Sequence, residues 1–146
     1  LHIANEVVQA TRAAQPVRAL RLRTEGSAAP VVIGDEMRLR QVLGNLVGNA
    51  CKYSDGEVVV TVDSSRAGWV RAAVADSGPG IPDAEKSRVF ERFYRGDPSR
   101  TRSAGGSGLG LSIVAAIVSA LGGSVSVRDN SPTGAIFDVW LPAQPD

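Results

Sequence analysis

The sequence predicts an α+β domain in which a mixed sheet is covered by helices on one face, and three observations carry that prediction. Helical and strand-like segments do not alternate strictly along the chain, as a doubly wound parallel sheet would require. The strands 57–63 and 69–76 are joined by a turn-rich stretch, a hairpin signal, and two further strands, 124–129 and 135–141, follow one another with only NSPTG between them. Finally, the segment from Leu109 to Leu121 is apolar on nearly every side, which suits a helix buried against a sheet.

Each element follows in order. Ile3, Val7, Val8, Thr11 and Ala14 recur at helical spacing, and Pro16 ends that helix. Leu20 and Leu22 then alternate with Arg21 and Arg23 as in a half-buried strand, and Val31 to Ile33 reads as a second short one. Gly34 supplies a turn and Asp35 an N-cap for a helix from Glu36 to Tyr53, which Ser54, Asp55 and Gly56 break. The strands EVVVTVD and WVRAAVAD are joined through Ser64 to Gly68. After DSGPGIP, Pro82 suits the first turn of a short helix from Asp83 to Phe93, and Tyr94 to Gly108 reads as a loop. Gly122 and Gly123 stop the apolar helix. NSPTG separates the last two strands, and Pro142 ends the structured part.

Composition narrows the function. With 146 residues and 43% of them hydrophobic, the chain fits one globular domain spanning 1–146. A domain of this size buries roughly two-thirds of its unfolded surface, so it needs neither disulfides nor a structural metal. One Cys (Cys51) and one His (His2) exclude an internal disulfide, a Cys/His zinc centre and a nucleophile–histidine triad in the body of the domain. Any metal must be a hard ion on oxygen ligands. No apolar run approaches the ~18 residues of a membrane span, so no direct membrane contact is expected. A net charge of +1 argues against nucleic acid as a partner. Of the 16 basic residues 14 are Arg, and Arg92, Arg95, Arg100 and Arg102 are clustered in a way that suits a phosphate ligand better than a duplex. The chain opens at Leu1 without Met and is expected to be part of a longer protein.

Three motifs carry chemistry. On the helix LRQVLGNLVGNACKY, the residues Leu39, Val42, Leu43, Leu46, Val47 and Ala50 form an apolar stripe, whereas Asn45, Asn49 and Lys52 share another face. Two amides and an ammonium with no carboxylate between them offer oxygen to a hard cation and positive charge to a phosphate; a solvated polar face would read the same way. DSGPGIP places Asp76 at a strand end before Gly78 and Gly80, where the carboxylate could accept from an exocyclic amine such as that of adenine or cap its own turn. GGSGLGL leads Gly105, Gly106, Gly108 and Gly110 into the apolar helix, aiming free N–H groups at an anion, or else forming a plain linker. It is neither a Walker A loop nor a GxGxxG fingerprint.

Taken in order, these motifs strongly resemble the ATP-binding catalytic domain of bacterial two-component sensor histidine kinases, within the superfamily that also holds DNA gyrase, Hsp90 and MutL. NLVGNACKYS is similar to the N box, DSGPGIP to the G1 box, VFERFYR to the F box, GSGLGL to the G2 box and GAIFDVWLP to the last strand. The resemblance runs from about Ala14 to Pro142 and implies a Bergerat-type two-layer α/β sandwich, a mixed sheet of about five strands on three helices.

The resemblance also implies roles. Asn49, helped by Asn45, holds Mg²⁺ on the phosphates of ATP; Lys52 reaches a phosphate; and Tyr53 stacks near the adenine. Asp76 accepts from the adenine amine, with Gly78, Gly80 and Ile81 shaping the base pocket. Gly106, Ser107, Gly108, Leu109 and Gly110 wrap the triphosphate. Residues 95–107 form an ATP lid anchored by Phe90 and Phe93. Asn45, Lys52 and Arg95 act in the transfer itself. The γ-phosphoryl group goes to a histidine on a dimerisation domain of the same protein and then to a response regulator, with this part a cytoplasmic domain of an inner-membrane sensor. His2, followed by IANE, does not match the acceptor motif. Gly134 is followed by Ala135 where the family often has Thr, which puts one polar contact in doubt. Trp69 and Trp140 are expected to be core residues rather than ligand contacts, and Cys51 a buried small residue. The rival readings are an anti-sigma-factor serine kinase of the same superfamily, a superfamily ATPase, which Asn45 disfavours because a glutamate stands there in gyrase, and a degenerate nucleotide-binding interaction module.

Overall fold

The computed structural model describes residues 2–14, 20–25, 36–53, 56–86, 88–91, 110–131 and 133–143. These form helix α1 (His2–Ala14), strand β1 (Leu20–Glu25), helix α2 (Glu36–Tyr53), strands β2 (Val58–Asp63) and β3 (Trp69–Ala75), helix α3 (Gly110–Ala120), and strands β4 (Ser124–Asp129) and β5 (Ala135–Pro142). The strand expected at Val31–Ile33, the cap at Asp35 and the loop from Tyr94 to Gly108 lie outside the described residues.

The five strands make one mixed sheet in the order β1-β2-β3-β5-β4. β1 runs parallel to β2, with Leu20 opposite Val58 and Glu25 opposite Asp63. A parallel neighbour needs a crossover, and α2 lies in the stretch that makes it. β2 pairs with β3, β3 with β5 and β4 with β5, all antiparallel, so the two strand pairs meet along β3 and β5.

Alternation along the strands decides which side is core. Val58 and Val60 of β2, Val74 of β3, and Phe137, Val139 and Leu141 of β5 turn inward against Val42, Leu46, Val47 and Ala50 of α2 and Val114, Ile117 and Val118 of α3. Ala4 of α1 packs with Leu43, Val62 and Val70 in a second cluster. Helices thus cover one face, as the sequence predicts. α1 is also tied to α2 where Arg40 Nε donates to Glu6 at 2.6 Å. α3 stops at Gly122, whose φ of +83° is open to glycine. Gly122 N–H donates to Ser119 O at 3.0 Å and Gly123 N–H to Val118 O at 2.9 Å, which satisfies the last carbonyls.

The uncovered face is held by charge. The residues of β5 that alternate outward include Asp138, 4% exposed, which accepts from Arg71 Nη1 at 2.9 Å and Arg128 Nε at 2.7 Å. Arg71 also donates to Asp63 at 3.1 Å. Burial alone would lower the pKa of Arg71, but its hydrogen bonds to Asp138 and Asp63 outweigh that and raise it. The guanidinium of Arg66 lies over both Trp69 and Trp140, 5.8 and 5.3 Å from the ring centroids. Both tryptophans are thus half-buried under Arg66 on this outer face rather than in the core that the sequence predicts, whereas Cys51 is buried as expected.

One predicted element is corrected. The described residues of 83–91 do not form the expected short helix: a single 3-10 turn, Asp83–Glu85, is followed by turns in which Arg88 N–H donates to Glu85 O and Glu91 N–H to Arg88 O, both at 2.9 Å. No side chain caps its N-terminus, so nothing local offsets the nucleation penalty of a short helix. Tertiary anchors set the path instead. Val89 is buried, Phe90 meets Phe137 edge-on with centroids 5.9 Å apart, and Lys86 reaches Asp83 and, at 2.9 Å, Asp129.

Candidate functional site

Three chain segments converge at the end of β3, and a fourth polar segment lies on α2 and the start of α3. The first is Asp76 itself, one residue beyond the strand and 3% exposed. A buried carboxylate must find donors, and Asp76 finds two main-chain N–H groups: Gly78 at 3.0 Å and Ala135 at 3.2 Å, both on Oδ1. Its own N–H donates to Ala135 O at 2.9 Å. Its carbonyl oxygen accepts from Asn130 Nδ2 at 2.7 Å. Oδ2 accepts from no group among the described residues, so the carboxylate is fixed through one oxygen and presents the other.

The second segment is the turn between β4 and β5. Gly134 has φ +113°, and a Cβ built there would lie 2.0 Å from Asp76 O. Only glycine lets this turn close on the Asp76 main chain. Thr133 Oγ1 adds a contact to Ser77 O at 3.4 Å. The third is the loop after Asp76, where Gly80, with φ +79°, passes so near that its Cβ would be 3.1 Å from Gly134 O. The next residue, Ile81, is buried in the main core cluster beside Ala135.

The fourth segment is the polar side of α2 with the start of α3. Asn45 and Asn49 are half-buried and Lys52 is exposed. Asn45 Nδ2 donates to Gly110 O at 3.3 Å. A carbonyl can only accept, so the Asn45 amide must keep its nitrogen toward Gly110 and turn Oδ1 away. The first turn of α3 carries N–H groups with no partner inside the helix, where an anion is favoured. No group of three or more His, Cys, Asp or Glu that could hold a metal occurs among the described residues. A cation here would have to use amide and phosphate oxygens, and the Asn45 and Asn49 amides are donors of that kind.

The structure thus ties Asp76, Gly78 and Ala135 together, packs Gly80 against the Gly134 turn, and joins Asn45 to Gly110. Tyr53 ends α2, and its side chain lies outside the described residues, as do Arg95, Gly106, Ser107, Gly108, Leu109, Phe93 and the whole expected lid. Sequence reasoning missed Asn130, Thr133 and the closeness of Gly134 to Asp76. The run NSPTG carried a signal, since Asn, Thr and Gly are the residues whose side chains or φ build turns, but not its target. Ala135, the expected weak point, holds Asp76 through its own N–H and C=O, which any residue but proline would supply.

The model of the histidine kinase-, DNA gyrase B- and HSP90-like ATPases matches residues 34–145. The chain belongs to that family. Its relatives include the sensor-like histidine kinase SenX3 of Mycobacterium tuberculosis, 38% identical over 97% of this chain, and the probable sensor histidine kinase TcrY of the same species, 50% identical over 77%. The chain spans 35% and 24% of the lengths of these two relatives. The solved structure of the mycobacterial sensor histidine kinase MprB superposes with a TM-score of 0.83 at 32% identity, covering 99% of this chain and 95% of that one. Full-length ShkA in complex with AMPPNP superposes with a TM-score of 0.82 at 33% identity, covering 99% of this chain and 30% of that one. The five-stranded mixed sheet on three helices is the architecture of histidine kinase ATP-binding domains, as the sequence predicts. No helix among the described residues is long and apolar enough to cross a membrane.

Proposed function

We propose that this domain binds ATP with Mg²⁺ and presents the γ-phosphoryl group to a histidine on the dimerisation domain of a sensor histidine kinase. The observation that carries the reading is the geometry of Asp76: a buried carboxylate with both its hydrogen bonds on Oδ1 leaves Oδ2 as the acceptor for the 6-amino group of adenine. Gly78, Gly80 and Ile81 shape the base pocket. Asn49 and Asn45 hold the cation, which neutralises charge on the phosphates. Lys52 adds positive charge there, Tyr53 stacks near the base, and Gly106, Ser107, Gly108, Leu109 and Gly110 wrap the triphosphate, with Arg95 in the lid.

Phosphoryl transfer depends mostly on positioning and charge neutralisation. The histidine nitrogen forms the new bond to the γ-phosphorus in line as the bridging P–O bond breaks, and ADP leaves with that oxygen. An amide at position 45 cannot act as a general base toward water, so hydrolysis is slow and ATP is kept for the incoming histidine. The phosphoryl group passes on to an aspartate of a response regulator, and the full protein is a sensor of the inner membrane with this domain in the cytoplasm. The named relatives favour this over the serine-kinase and degenerate-module readings.

Calorimetric titration with a slowly hydrolysed ATP analogue tests it. Binding is expected to strengthen with Mg²⁺, and Asn49→Ala is expected to lose that gain. No binding at millimolar nucleotide would overturn it.

A further inference from the structure

We infer that Asn130 is a positioning residue for purine recognition: by gripping the main chain of Asp76 it aims the free carboxylate oxygen at the base. This rests on the reading of Asp76 given above. Among the described residues, four hydrogen bonds hold Asp76 in place. Three are main chain at the other end: Gly78 N–H and Ala135 N–H on Oδ1, and Ala135 O on the Asp76 N–H. Only the fourth, Asn130 Nδ2 to Asp76 O at 2.7 Å, comes from a side chain, and it is the shortest.

The Asn130 amide has a single allowed orientation. Its Oδ1 accepts from Ser131 N–H at 2.9 Å, while Nδ2 faces a carbonyl that can only accept. Flipping the amide would set oxygen against oxygen at one end and nitrogen against nitrogen at the other. The backbone of Asn130 is fixed as well, because its N–H donates to Gly134 O at 3.0 Å. Asn130 therefore bridges the turn that closes on Asp76 and the residue that recognises the base. Recognition through one oxygen is sensitive to aim, since a hydrogen bond weakens steeply once its angle and distance drift. Releasing the Asp76 carbonyl frees the peptide on which the carboxylate stands.

A structural role alone would weaken all nucleotides together, whereas a positioning role weakens only those that use the Asp76 oxygen. Wild type, Asn130→Ala and Asn130→Asp are titrated with ADP and with purine riboside 5′-diphosphate, which lacks only the 6-amino group. Asn130→Asp keeps an oxygen for Ser131 N–H but sets an acceptor against Asp76 O, so it tests the link with the turn kept; it also carries the test should the alanine variant not fold. Both variants are expected to lose about three- to tenfold in ADP affinity, with the purine riboside compound changed less than about twofold. Equal losses on both ligands, or no loss on either, would overturn the role of Asn130. So would a loss of ADP preference of the same size in Thr133→Val, in the same turn. Asp76→Asn separates the underlying reading. If it leaves the preference for ADP unchanged, the reading of Asp76 fails; if it abolishes the preference while the Asn130 variants keep it, only Asn130 is wrong.

Discussion

Gly134→Ala is expected to be among the most damaging single-methyl additions the fold can receive. The added Cβ would stand 2.0 Å from Asp76 O and 2.8 Å from its carbonyl carbon, against backbone atoms that cannot rotate away. An ordinary contact needs about 3.4 Å, so the turn and the end of β3 must separate by more than about 1 Å. That displacement breaks the paired bonds between Asp76 and Ala135 and loosens the bond from Asn130 N–H to Gly134 O. At about 1 kcal/mol for each of three hydrogen bonds, plus about 1–2 kcal/mol for holding φ near +113° with a side chain, the loss comes to roughly 4–5 kcal/mol. Urea unfolding followed by tryptophan fluorescence measures it. The reasoning fails if Gly134→Ala unfolds within about 1 kcal/mol of wild type, since the turn would then not be closed on Asp76.

Gly44 gives the opposite sign: it lies inside α2 with nothing within 4 Å of a built Cβ, so Gly44→Ala should stabilise by about 0.8 kcal/mol and raise the melting temperature by about 2–3 °C in a thermal melt. Asp138→Ala leaves Arg71 with Asp63 alone and strips Arg128 of its partner; discounted for the exposed Arg128, the expected loss is about 2 kcal/mol by urea unfolding. The Asp63 carboxyl is held below its ordinary value of 3.8 chiefly by the Ser65 hydroxyl and N–H; burial opposes them, and the hydrogen bond and the charge of Arg71 each lower it by less than burial raises it. Its folded pKa is depressed, so its contribution is present above the unfolded value and is lost as pH falls through the folded one. Stability measured by urea unfolding should therefore drop below pH 3.8, with a shallower slope in Asp63→Asn.

Local pattern revealed the strands and helices because each buries one side, and periodicity reports that side directly. EVVVTVD sends Val58, Val60 and Val62 to the core, and the stripe of α2 from Val42 to Ala50 lies where its spacing puts it. The pattern failed at 83–93, where Val89, Phe90 and Lys86 are held by partners distant in sequence, and a helical count of three or four residues says nothing of such partners. The site divides in the same way. Asp76 was legible as a carboxylate at a strand end, and Asn45 with Asn49 as amides on one helical face. Asn130 was not, because its target lies 54 positions away and is reached only once β3 and β5 are neighbours. The burial of Asp138 was equally hidden. Alternation in AIFDVWLP puts it outward, but its arginines come from the two strands flanking β5.

In that central pair of strands, Asp76 is held by the main chain of residue 135 and not by its side chain. A side-chain hydroxyl at this position would add a contact, but the fixed point of the carboxylate is the main chain of β5, whose N–H and C=O close on Asp76. The register that delivers those groups runs from Trp69 opposite Pro142 to Ala75 opposite Ile136, and a slip by one residue would turn Phe137 and Val139 out of the core. Hydrophobic burial along the whole strand therefore sets the aim of one carboxylate at its end. The Arg71–Asp138–Arg128 contacts act on the same register from the opposite face, since Asp138 lies opposite Ala73 on one side and Ser126 on the other. The position of the Asp76 carboxylate thus rests on core packing and backbone pairing, with Asn130 the one side chain among the described residues that joins in the hold.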